Sequence, residues 1–257
     1  MNSKSVYKYQ LNDFKKSIMI FYLVIACIFV LIFLSTGTKL LTINSLKIGP
    51  GSVSGLELAS FIFLFVGGLN MFREAFRFSM QNGVSRKSIW TGTVLTFLTV
   101  GGVMALIDTV IRMALLNLSV PWSNVKMQGF YDLMYPQRSL NNGMIQNALE
   151  GFLLNFCMYA AALAVGYFIT VGYYHMNKIA KIIVSIGVPA FIMILLPILI
   201  GIFSKSDPSY EYYHATRVAL GGSNYDNPYF AMGSGLLISA VFLGLTYLMV
   251  RRAPIKD

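Results

Sequence analysis

Asp108 and Arg112 stand inside a long apolar run, LIDTVIRMALL, where ionised side chains are costly. Translocon-based scales put each charge at about 2.5 to 3.5 kcal/mol near the bilayer centre, so compensation is expected. Their spacing of four residues lets the two side chains meet directly on one face of a helix. We predict either a gate or substrate contact, or a structural ion pair that fixes the rotation of the helix.

Two further carboxylates, Glu57 and Glu150, stand where other apolar runs begin. In the topology predicted below, both face the same side of the membrane as the Asp108–Arg112 segment. The sequence therefore predicts a polar cluster on the extracellular side, formed by Glu57, Asp108, Arg112 and Glu150.

Motifs for enzymatic chemistry are scarce in the sequence. His175 and His214 are separated by a predicted membrane crossing and belong to no HExxH or cysteine pattern, which disfavours a metal site. The sequence contains no G-x-x-x-x-G-K-[ST] phosphate loop and no G-x-S-x-G nucleophile motif. We expect no catalytic residues and no bound cofactor in this chain, so any ATP energy must come from a separate chain.

The composition is typical of an integral membrane protein. Hydrophobic residues make up 56% of the 257 residues and charged residues only 12%, against roughly 25% charged residues in soluble domains. The formal net charge of +10 is accompanied by no nucleic-acid-binding motif. We attribute it to the retention of Lys and Arg on the cytoplasmic side of the membrane.

Apolar runs near the roughly 20 residues that cross a bilayer predict an all-α chain with six transmembrane helices in a single domain, 1–257. A polar, basic segment at about 5–16 predicts an interfacial helix before the first span. Most Lys and Arg fall in that segment, in 72–88, in 174–181 and in the C-terminal tail, which places both termini in the cytoplasm. The predicted spans are about 17–35, 56–71, 89–118, 148–173, 182–203 and 229–250.

The segment between the second and third spans, FREAFRFSMQNGVSRKSIW, is both charged and aromatic. Phe72 and Phe76 share one helical face, while Arg73 and Arg77 fall on another. This pattern predicts a short amphipathic helix that lies flat on the cytoplasmic face of the membrane. Because such a helix is attached to two spans, we predict that it is the contact point for a soluble partner.

The end of this segment contains helix stop and start signals. Asn82 and Gly83 both tolerate the left-handed conformation that ends helices. Ser85 can cap the helix that follows. We therefore predict a break between two helices at these residues.

These features together resemble the membrane subunit of type-2 ABC exporters, which has an amphipathic N-terminal helix, six spans and a coupling helix seated in a groove of the ATPase subunit. The matching segments are Tyr7 to Lys16 and Phe72 to Ser88. QNGVSRKSIW is similar to the small permeases of bacterial peptide-export and antimicrobial-resistance systems, including exporters of phenol-soluble modulin toxins. The resemblance implies coupling residues Phe72, Arg73, Glu74, Phe76, Arg77, Met80, Arg86 and Lys87.

The resemblance also implies the working assembly. Two permeases, as a homodimer or heterodimer in the bacterial plasma membrane, would pair with two ATPase chains that hold ATP and Mg²⁺. Amphipathic peptides would pass between the permeases. The short predicted loop 204–228 disfavours large polymeric substrates, because larger relatives carry substantial extracellular elements there.

Other functions remain open at this point. An ion-coupled secondary transporter would need a coupling site near the midplane, for which Asp108 is the candidate. A receptor or immunity protein needs no catalytic residues. An intramembrane enzyme is disfavoured by the missing catalytic set.

Overall fold

The computed structural model describes residues 3–38, 56–117, 129–190 and 227–253, which are largely helical. Two short helices lie in the connection between the predicted third and fourth spans. The helices are α1 (Ser3–Thr38), α2 (Leu56–Gln81), α3 (Arg86–Asn117), α4 (Phe130–Met134), α5 (Pro136–Asn141), α6 (Met144–His175), α7 (Lys178–Ala190) and α8 (Pro228–Arg251).

Five helices of the described chain, α1, α2, α3, α6 and α8, are long and apolar enough to cross a membrane. The prediction of an all-α, multi-pass membrane protein is therefore confirmed for the part of the chain that the structure describes. The predicted fifth span, 182–203, begins within α7, and its part beyond residue 190 lies outside the described residues.

Two predicted interfacial helices are instead parts of longer helices. α1 runs without interruption from Ser3 to Thr38, and α2 runs from Leu56 through the charged segment to Gln81. The prediction that these segments are separate helices is therefore wrong, while the residues at which the spans meet the membrane surface remain predictions. The physical reason is that the apolar faces of both segments pack against other helices of this chain.

Several helix ends meet at one end of the bundle, which we call the basic end: the start of α1, the α2–α3 turn, the α6–α7 turn and the end of α8. Val6 of α1 packs against Gly92 of α3. Arg86 at the start of α3 donates to the carbonyl of Arg251 in α8 at 2.6 Å. The start of α2, the end of α3, α4, α5 and the starts of α6 and α8 meet at the opposite end, which we call the polar end.

α6 is the central helix and packs against α2, α3 and α8. Its closest approach to α2 is at Gly68 and Gly166, where a Cβ on Gly68 would lie 2.6 Å from the carbonyl oxygen of Leu163. Such glycines let helix backbones approach closely in lipid. Gly166, four residues after the buried Ala162, makes the matching approach to α2, against the carbonyl oxygen of Phe65.

α1 is attached mainly to α3. Near the basic end the Gln10 side chain donates to Thr93 and accepts from Thr96, both at 3.1 Å. Farther along, Tyr22 contacts the middle of α3. These polar contacts add to the apolar packing that fixes the position of α1.

Candidate functional site

Asp108 is fully buried where α1, α3 and α6 meet. Tyr22 of α1 donates its hydroxyl to Oδ1 at 2.8 Å, and Tyr159 of α6 donates to Oδ2 at 2.5 Å. The predicted ion pair between Asp108 and Arg112 is wrong, because Arg112 instead pairs with Asp132 of α4. The sequence spacing permitted the first pair, but the packing of α4 supplied a better-placed carboxylate.

Arg112 occupies a space between α3, α4 and α6 that two glycines leave open. Its Nε lies 3.1 Å from Oδ2 of Asp132, and its guanidinium carbon lies 5.2 Å from the ring centroid of Tyr131. A Cβ on either Gly129 or Gly151 would collide with the Arg112 side chain. A side chain at either position would force the Arg112 side chain to shift, so the two glycines accommodate its present position.

Two carboxylates hold the start of α4. Oδ2 of Asp132 accepts from the backbone N–H of Gly129 at 3.1 Å, and Oε2 of Glu57 accepts from that of Phe130 at 2.8 Å. Carboxylates at a helix N-terminus satisfy backbone donors that lack intrahelical partners. Glu57 thus ties α2 to α4, and its other oxygen, Oε1, is buried without a hydrogen bond to any described residue.

Glu150 is the centre of a second group of contacts, shared by α4, α5, α6 and α8. Arg138 donates two hydrogen bonds to its carboxylate, both at 2.8 Å. The hydroxyls of Tyr131 and Tyr229 donate to the same carboxylate at 2.5 and 3.0 Å. The bidentate arginine geometry fixes both partners in orientation.

The ionisation of the groups around Glu150 follows from these contacts. Burial and the hydrogen bond to Glu150 raise the pKa of Tyr131 above its ordinary value. The hydrogen bond to Glu150 also raises the pKa of Arg138. Tyr131 therefore remains a hydroxyl donor and Arg138 a cation, which suits a permanent structural junction.

The four residues of the predicted polar cluster do lie at the polar end, in two linked groups. Glu57 and Arg112 meet around Gly129, with Asp108 deeper in the bundle. Tyr131 joins the groups, because its ring faces Arg112 and its hydroxyl bonds to Glu150. The extracellular location of the cluster remains a prediction.

Sequence reasoning missed most of the partners in this network. The missed residues lie in the aromatic connection FYDLMYPQRSL, which contains α4 and α5, and at tyrosines within apolar runs. A usable signal was present, because an acidic and a basic residue stand among aromatics between two spans. The missed residues are Tyr22, Tyr131, Asp132, Arg138, Tyr159 and Tyr229.

The predicted coupling segment divides into buried and exposed residues. Phe72 and Phe76 are each only 1% exposed and pack on α6, with ring centroids 5.3 and 5.8 Å from that of Tyr174. The prediction that they anchor in a partner's groove is therefore wrong for this structure. Their helical spacing places both rings on one face, and that face packs into the core of this chain. The spacing alone does not show whether such a face packs in the core or binds a partner.

Of the remaining coupling candidates, two are engaged within the chain. Met80 is half-buried against the core, and the Arg86 side chain donates to the end of α8. The exposed candidates are Arg73, Glu74, Arg77 and Lys87. They lie on the last turns of α2 and the first turn of α3, on either side of the α2–α3 turn.

The α2–α3 turn itself forms as predicted. Gly83 adopts a left-handed φ of 69°, and α2 ends just before it. The hydroxyl of Ser85 accepts from the backbone N–H of Ser88 at 3.2 Å, which caps α3. The break predicted at these residues is confirmed.

A groove with a volume of about 190 Å³ lies between α1 and α2. Its lining combines aromatic side chains with two carboxylates, Asp13 and Glu74, on a bundle end that is otherwise rich in Lys and Arg. The groove thus offers an apolar surface with negative charge. Its other lining residues include Tyr9, Phe14, Phe63 and Asn70.

No protein-family model matches the chain, and no curated protein or solved structure matches it either.

Proposed function

We propose that this chain is the transmembrane subunit of an ATP-driven ABC exporter in a bacterial plasma membrane, with its basic end in the cytoplasm. The observation that carries the proposal is the α2–α3 turn, which presents exposed charges and is continuous with two membrane-length helices. A soluble ATPase that holds ATP and Mg²⁺ would bind there. A second permease copy would complete the transport path.

The packing of the turn supports a mechanical role. Phe72 and Phe76 fix the end of α2 against α6, and Arg86 fixes the start of α3 to α8. A force applied to Arg73 or Arg77 would therefore reach α6 and α8 without bending a separate linker. The internal burial of the phenylalanines strengthens transmission, although it removes them from the contact surface.

The α1–α2 groove supports an amphipathic substrate. Aromatic side chains suit the apolar face of a peptide, while Asp13 and Glu74 suit its basic residues. α2 forms one wall of the groove, so the occupancy of the groove and the position of α2 would be linked. We propose that peptides exported by this chain are cationic as well as amphipathic.

Co-purification tests the coupling surface. The tagged chain is extracted in mild detergent from cells that express it, and retained chains are labelled with a photoreactive ATP analogue. We expect a labelled partner with the parent chain and a strong loss of it with the double variant Arg73→Glu, Arg77→Glu. Charge reversal at an interface rim weakens docking without disturbing the core.

The matched control is Lys178→Glu, an exposed cation at the same end on the α6–α7 turn. It should retain the labelled partner. Absence of any ATP-binding partner with the parent chain would contradict the exporter proposal. Equal retention by the double variant would contradict only the assignment of the surface.

One observation favours a second candidate, an ion-coupled secondary transporter. Asp108 lies inside the bundle and is not paired with Arg112. An ion pair with Arg112 would have neutralised its charge and made it a poor site for a coupling ion. Transport by the isolated chain in vesicles, driven by an imposed ion gradient without ATP, would support this candidate. Transport that requires the ATPase would support the exporter.

A further inference from the structure

Asp108 is a carboxylate inside a membrane bundle without a basic partner among the described residues. It is fully buried. Its hydrogen-bond donors are the neutral hydroxyls of Tyr22 and Tyr159, and the uncharged hydroxyl of Ser60 in α2 also lies beside it. A buried ionised carboxylate is costly unless a counter-charge accompanies it. The structure must therefore neutralise this group in some other way.

The charged groups around Asp108 do not supply a positive charge that would neutralise its carboxylate. On its own helix, Arg112 is committed to Asp132 of α4. From α2, the nearby titratable group is Glu57, which is itself acidic and buried. Carboxylates therefore outnumber cations in this part of the described chain, while α1 and α6 contribute only the two tyrosines.

Each tyrosine has a second acceptor within reach. The Tyr22 hydroxyl lies 3.3 Å from the carbonyl oxygen of Met104, and the Tyr159 hydroxyl lies 3.4 Å from that of Glu57. Either hydroxyl can thus turn from the carboxylate to a backbone carbonyl without moving its ring. This gives the site two hydrogen-bonding arrangements, one for each charge state of Asp108.

We propose that Asp108 is a binding site for an exchangeable proton. The carboxylate takes a proton from hydronium and releases water, which leaves a neutral carboxylic acid. The new O–H donates to one tyrosine oxygen, and that tyrosine redirects its own O–H to the backbone carbonyl. Release of the proton reverses these steps.

The geometry selects a proton over a metal cation. The Asp108 oxygens lie 2.8 and 2.5 Å from the two hydroxyl oxygens, which are hydrogen-bond distances that leave no space for an ion between them. Among the described residues, no group of His, Cys, Asp and Glu side chains is arranged to hold a metal ion. These contacts favour a proton over a metal ion as the ligand.

Proton binding at Asp108 acts on the attachment of α1. Tyr22 joins α1 to α3 in the middle of the bundle, whereas the Gln10 contacts lie near the basic end. A change in charge at Asp108 changes the strength of the Tyr22 contact. This role does not depend on the proposed ABC function.

Infrared spectroscopy of the purified full chain in detergent tests the proposal. We expect the carbonyl band of a buried carboxylic acid, sensitive to deuterium exchange, that titrates away as pH rises. Asp108→Asn should remove the band. The control Glu74→Gln, which removes an exposed carboxylate at the basic end, should retain it.

Two conservative variants keep the test decisive if Asp108→Asn does not fold. Tyr22→Phe and Tyr159→Phe each remove a donor that favours the carboxylate, so the titration midpoint of the band should rise by roughly one pH unit. Persistence of the band in Asp108→Asn, its loss in Glu57→Gln instead, or an unchanged midpoint in both tyrosine variants would overturn the proposal. Absence of the band from the parent chain would do the same.

Discussion

Replacement of Phe76 by Ala separates a core role from a partner-binding role for the charged segment of α2. Phe76 is 1% exposed, stacks on Phe72 with centroids 4.9 Å apart, and meets Tyr174 edge-on at 5.8 Å. The substitution removes the whole ring from this packed cluster. The neighbouring Arg77 is exposed and serves as the matched control when changed to Ala.

The expected loss of stability follows from the burial and the aromatic packing of the Phe76 ring. Truncation of a buried Phe to Ala costs about 3 to 5 kcal/mol, because the ring's transfer free energy and the residual cavity both contribute. Each aromatic pair accounts for about 0.5 to 1.5 kcal/mol beyond the buried area. At about 3 kcal/mol the ratio of folded to unfolded chain falls by more than about 100-fold. Arg77→Ala should stay within about 0.5 kcal/mol of the parent.

Unfolding of the purified chain in mixed micelles, as the fraction of denaturing detergent rises, gives the assay. Tyrosine and tryptophan fluorescence reports the transition. Phe76→Ala should unfold at a clearly lower denaturant fraction than Arg77→Ala. If the two variants were equally stable and Phe76→Ala alone lost the ATPase, the ring would face a partner and the assignment of Phe76 to the core would be refuted.

Three further predictions use the same unfolding assay. Gly68→Ala should lower the free energy of unfolding by about 1 to 3 kcal/mol, because its Cβ meets the α6 backbone. The control Gly101→Ala makes only ordinary contacts and should raise it by about 0.5 to 1 kcal/mol. Equal effects would contradict the close approach of α2 to α6. Gly83→Ala should lower the free energy of unfolding by about 1 to 2 kcal/mol, because Gly83 has a positive φ. The control Gly233→Ala lies in a helix with open space around it and should cost nothing. A neutral Gly83→Ala would contradict the left-handed turn. Arg138→Ala should lower the free energy of unfolding by about 2 kcal/mol, because it leaves Glu150 buried without its bidentate partner. Arg138→Lys should restore only part of that stability. Full stability of Arg138→Ala would count against a structural role for the contacts around Glu150.

The sequence by itself determined the helical, multi-pass membrane character, the places of five membrane-length helices and the break at Asn82 to Ser85. These properties depend on local composition and on residues within a few positions of one another. A run of apolar residues identifies a spanning helix wherever it packs, and a glycine followed by a capping serine ends one helix and begins another in most contexts. The polar cluster was also placed at one end, because the order of spans fixes which ends share a side.

Only the tertiary structure decided which side chains meet. Arg112 was four residues from Asp108 in sequence, yet α4 supplied Asp132 and left Asp108 to Tyr22 and Tyr159. Phe72 and Phe76 share one helical face, as the sequence predicted, but that face is buried against Tyr174 of α6 rather than exposed to a partner. Amphipathic spacing shows which residues share a helix face. What packs against that face depends on helices that are far away in the sequence.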